Sequence, residues 1–146
     1  MKLASILLTS TLGMNVQAQP DLQGSHVEAN VPSRETLERF LIRDLTSYFS
    51  QFTGKPISSV KVTTLRDAPT QSGAAYPKYY FWVSISCAST LCAEGAVRVA
   101  AIQAERFEVT DFLSKDAIIA SPEDVSHVFP AALVARIYGL AGTNQR

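Results

Sequence analysis

The sequence predicts an α+β fold: an antiparallel sheet of three to four strands with a long N-terminal helix and a kinked C-terminal helix, in the order α-β-β-β(β)-α. Three observations carry this. Ser33 to Thr53 repeats apolar residues at helical spacing, and Tyr79 to Cys87 alternates with the period of a strand. Ser121-Pro122-Glu123-Asp124 then opens a second helical stripe that continues to Leu140.

At the N-terminus, Lys2 precedes a mostly apolar run from Leu3 to Met14, and Val16-Gln17-Ala18 supplies small residues for cleavage. These are the three parts of an export signal, so residues 1–18 read as a leader and the exported chain is expected to begin at Gln19. A run of about twelve residues is too short for a bilayer, which needs roughly twenty. The expected location is a bacterial periplasm or the outside of the cell, with no stable membrane span in the mature chain. Residues 19–32 are polar, lack a hydrophobic period and carry Pro20, Gly24 and Pro32, so they read as a flexible or loosely docked arm.

Residues 33–141 then form one α+β domain, long enough for a core of its own. In the first helix Leu37, Phe40, Leu41, Leu45, Tyr48, Phe49 and Phe52 form the stripe that lies on the sheet. Ser33 is placed to cap its start, and Gly54 followed by Pro56 to end it. Ile57 to Arg66 alternates around Val60 and Val62 and suits a first strand. The polar stretch from Asp67 to Ala75 is a connection.

In the aromatic strand Tyr79, Phe81, Val83, Ile85 and Cys87 point to the core, while Tyr80, Trp82, Ser84 and Ser86 point away. Ala88 to Leu91 forms a hairpin tip, and Cys87 and Cys92, the chain's two cysteines, are expected to close it as a disulfide. Residues 94–113 fit either one strand bent near Ala104 or two shorter strands meeting there. Ser121 is expected to cap the last helix, and Pro130 to kink it or split it in two. Residues 142–146 should fray.

In outline this order resembles two scaffolds, the double-stranded-RNA-binding domain and the cystatin-like group, in which a long helix crosses a curved antiparallel sheet. The basic second helix of the former has no counterpart, since Arg136 is the only Lys or Arg between Lys115 and Arg146. The chain as a whole has 13 basic and 13 acidic residues, which excludes the basic footprint of nucleic-acid binding. No cofactor or metal is predicted: His26 and His127 lie far apart with no ligand spacing around either, and the glycines form no phosphate loop. Asp124, Ser126 and His127 have the names of a catalytic triad, but neighbours on a helix diverge too far to form one.

Two functions fit. With the sheet covered on one side, Lys61, Tyr80, Trp82 and Arg98 would share its open face, and Tyr, Trp and Arg are the side chains that anchor interfaces. The first expectation is therefore a small exported binding or accessory domain that engages an envelope protein, peptide or glycan by the open face or an edge strand. The alternative is a small enzyme with an apolar cavity between helix and curved sheet, where Asp67, Asp111 and Tyr79 are the candidates for proton transfer.

Overall fold

The computed structural model describes residues 31–143 apart from 74 and 104. Residues 1–30, which hold the expected leader, most of the expected arm and His26, and residues 144–146 lie outside the described residues. Helix α1 (Arg34–Thr53) starts at Ser33, whose Oγ accepts a hydrogen bond from the Thr36 N–H, and ends at Gly54, which takes the left-handed conformation at φ 66°. Strands β1 (Ser59–Thr64), β2 (Lys78–Cys87), β3 (Thr90–Gln103) and β4 (Arg106–Ser114) form one antiparallel sheet in the order β1-β2-β3-β4. Residues 94–113 thus hold parts of two strands, which meet close to residue 104.

Three short helices complete the chain: α2 (Lys115–Ala120), α3 (Asp124–Val128) and α4 (Ala131–Ala141). The break between α3 and α4 falls at Phe129-Pro130, where the ring nitrogen has no proton to donate to a continuing helix. Helix α2 is too short to show a period in the sequence, yet Ser114 caps it by accepting from the Ala117 N–H. Ser121 has a different role from the expected one. It ends α2, giving its N–H to Ala117 O, and α3 starts at Asp124 without a side-chain cap. Gly142 closes α4 at φ 78°, and the Thr143 N–H reaches Tyr138 O.

The odd-numbered face of β2 packs as its alternation predicts, with Tyr79, Phe81, Val83 and Ile85 buried against Leu41, Leu45 and Phe49 of α1. The even-numbered face departs from the expectation. Tyr80 and Trp82 are only 4% and 5% exposed, sealed beneath Ile118, Val125, Phe129, Leu133 and Ile137 of the C-terminal segment. Helices therefore cover both faces, not one. The physical reason is that two amphipathic segments each need an apolar surface, and α1 has already taken the odd face. On the even face the apolar half, at Tyr80, Trp82 and Ala96, is covered, while Ser84 and Ser86 stay half-buried beside exposed Lys61.

The β2–β3 hairpin turns on Ala88 and Ser89, both at positive φ (49° and 65°), the backbone that matches the twist of a two-residue hairpin. A register shift at Ile85/Ser86 follows, and there Cys87 and Cys92 are joined with their Cα atoms 5.8 Å apart. A bridge closing so short a loop removes little entropy from the unfolded chain, about 2 kcal/mol. Reduction is therefore expected to lower the urea midpoint while leaving a single cooperative transition. Loss of the folded baseline on reduction at room temperature would show that the bridge holds more than a turn.

Candidate functional site

Strand β1 forms the edge of the sheet, pairing with β2 alone among the described residues. The Leu65 N–H donates to Tyr80 O at 2.9 Å, one step beyond the Thr64–Phe81 register pair. In an antiparallel ladder alternate residues bond the partner strand. Ser59, Lys61 and Thr63 therefore bond β2, and Val60, Val62 and Thr64 turn their backbone N–H and C=O groups outward. The side chains of Val60 and Val62 pack towards the core beneath α1.

Helix α1 is drawn to the opposite side of the sheet. The Asp44 carboxylate accepts the Phe107 N–H at 2.8 Å, Arg43 Nη2 donates to Glu105 O at 2.8 Å, and the Phe49 and Phe112 rings meet edge to face at 4.9 Å. What this leaves beside β1 is a cleft of about 730 Å³. Leu37, Leu41 and Ile42 form its helical wall, and Val62, Tyr79 and Phe81 its sheet wall. Arg34, Glu38, Thr64, Arg66 and Asp67 stand around it, and Val31 and Pro32 lead the chain into α1 at the same place. Arg34 and Glu38 are themselves an exposed pair at 3.0 Å. Burial raises the Tyr79 phenol above its ordinary pKa.

The four residues expected to share an open face do not form one surface. Lys61 is exposed on the edge strand. Tyr80 hydrogen-bonds its hydroxyl to Thr70 Oγ1 from beneath the C-terminal helices. Trp82 donates its indole N–H to Glu94 at 3.4 Å, and Glu94 in turn pairs with Lys115 at 3.3 Å. Arg98 is committed internally, to Asp111 at 2.7 Å and to Val128 O at 3.0 Å, which ties β3 to the end of α3. Tyr80, Trp82 and Arg98 thus hold the C-terminal layer in place instead of facing a partner, and only Lys61 of the four is exposed.

The proton-transfer candidates are also separated. Asp111 lies on the even face with Arg98, while Asp67 and Tyr79 both line the cleft. Asp67 is exposed there, and no charged side chain is buried among the described residues. His127 is exposed, 3.9 Å from Asp124. No group of three or more His, Cys, Asp or Glu stands close enough to hold a metal among the described residues. No described helix is long and apolar enough to cross a membrane. No protein-family model, curated protein or solved structure matches this chain.

The sequence carried one trace of the cleft. Ile42 stands next to the core stripe of α1, an apolar residue without an assigned partner, and it remains 38% exposed in the cleft wall.

Proposed function

We propose that this protein is an exported binding module that takes an extended segment of an envelope protein or peptide as an additional strand along β1. The observation that carries the reading is the juxtaposition of outward-facing backbone groups at Val60, Val62 and Thr64 with the apolar cleft under α1. Strand addition draws affinity from main-chain hydrogen bonds and specificity from pockets for alternate side chains. A bound segment would place every second side chain against Leu37, Ile42 and Val62, and the intervening ones near Lys61 and solvent. The near-zero charge balance gives no long-range steering, so recognition would rest on these short-range contacts. The Cys87–Cys92 bridge is consistent with an oxidising compartment, and so with export.

Two substitutions test the reading while sparing the fold. Thr64→Pro removes an outward N–H that makes no bond to β2, a position where an edge strand tolerates proline. Ile42→Glu puts a charge on the exposed wall of the cleft. Seven-residue peptides selected from a displayed random library against the wild-type protein are expected to alternate apolar residues. Both variants should bind those peptides at least ~10-fold more weakly by fluorescence anisotropy, roughly one lost backbone or apolar contact, with melting temperatures close to wild type. Equal affinity for wild type and both variants would remove β1 and the cleft from the binding site.

A second reading draws on Asp67 and Tyr79, which line the same cleft: a proton-transfer enzyme acting on a small apolar substrate. It has less support, because Asp67 stands exposed and no charged side chain is buried in the cleft among the described residues.

A further inference from the structure

The chain's own N-terminal arm has the pattern and the position to occupy the β1 edge. Val31 and Pro32 line the cleft together with Thr64 and Arg66, so the polypeptide preceding α1 leaves the domain beside the C-terminal end of β1. In the sequence just before this point, Val27, Ala29 and Val31 alternate with His26, Glu28 and Asn30. This is a strand period too brief to mark the mostly polar arm as a whole. Six extended residues, 25–30, reach about 20 Å, the length of a six-residue strand such as β1.

We propose that residues 25–31 dock along β1 as a parallel strand, place Val27 and Ala29 in the cleft, and compete there with the external peptide. The direction follows from the topology. A segment ending beside Thr64 and running alongside β1 must point the same way as β1, and α1 then serves as the helical crossover that parallel neighbours require. The inference rests on the strand-addition reading of the edge and names its resident competitor. It gives the module a built-in threshold: an incoming peptide must displace a weaker strand that is always present at high local concentration.

Hydrogen exchange tests this without any ligand. In the exported chain the outward amides of Val60, Val62 and Thr64 are expected to exchange at least ~10-fold more slowly than in the Val27→Asp/Ala29→Asp double variant, because a docked strand protects them. The library-selected peptides should bind that variant more tightly than wild type. Equal exchange in the two proteins overturns the proposal. Protection that increases with protein concentration also overturns it, since the occupant would then be a second copy. If the amides are protected by the arm yet selection against either form yields no binding peptide, the arm is an integral strand and the external-ligand reading fails while self-docking stands.

Discussion

Trp82→Ala is expected to destabilise the protein by about 3–5 kcal/mol, the range for removing a large aromatic side chain from a packed interior. The ring is 5% exposed and belongs to the cluster that joins the even face of β2 and β3 to the C-terminal helices. Its loss opens space between Ala96 and Ile118 that the surrounding backbone cannot close, because Arg98 fixes the height of α3 through Val128 O and Arg136 fixes α4 through Leu65 O at 2.9 Å. The Glu94 carboxylate also loses its indole donor, although Lys115 remains beside it. Urea denaturation followed by far-ultraviolet circular dichroism measures the effect as a lowered midpoint. A midpoint shift worth less than about 0.5 kcal/mol, the range of surface substitutions, would mean that the C-terminal layer does not depend on this contact. Binding of the selected peptides by the folded fraction should be unchanged, since Trp82 and the cleft lie on opposite faces of the sheet.

That prediction reverses the one the sequence invites, and the reason shows what local pattern can and cannot carry. The odd positions of β2 are all apolar, so their burial is legible without coordinates. The even positions divide into Tyr80 and Trp82 on one side and Ser84 and Ser86 on the other. Aromatic residues of that kind suit both an interface and a half-covered core. The deciding fact was the stripe Val125, Phe129, Leu133, Ile137, which needed a surface and found only that one free. Helix α1 with its Ser33 and Gly54 caps, the break at Pro130 and the cysteine bridge were all readable, because each is written within a few neighbouring residues. The cleft was not. It exists because Asp44 bonds the Phe107 N–H, a contact between residues 63 apart in sequence that pulls α1 away from β1, and no local period contains it.

A single methyl group at Gly95 should have an effect as large as the loss of Trp82. Gly95 sits opposite Ser114, where β3 passes the end of β4. A Cβ there would run into Leu113 O and lie 2.8 Å from Ser114 Cα, both backbone atoms. A flexible side chain swings away from such a contact at small cost, but a strand backbone moves only by breaking its ladder. Ser114 is in addition the cap of α2, so displacing it also shifts Ile118 and with it the cover over Trp82. Overpacking of side chains costs about 1–3 kcal/mol, and a clash with the main chain of the neighbouring strand belongs at or beyond the top of that range, about 3 kcal/mol or more. Gly139→Ala is the control. Gly139 lies inside α4 with nothing within 4 Å of an added Cβ, so alanine should stabilise the helix by about 0.5–1 kcal/mol through lower backbone entropy in the unfolded chain. Thermal unfolding of the two variants side by side should move the transition in opposite directions. If Gly95→Ala melts with the wild type, β3 and β4 do not approach as closely as described, and α2 is not held by the strand end that caps it.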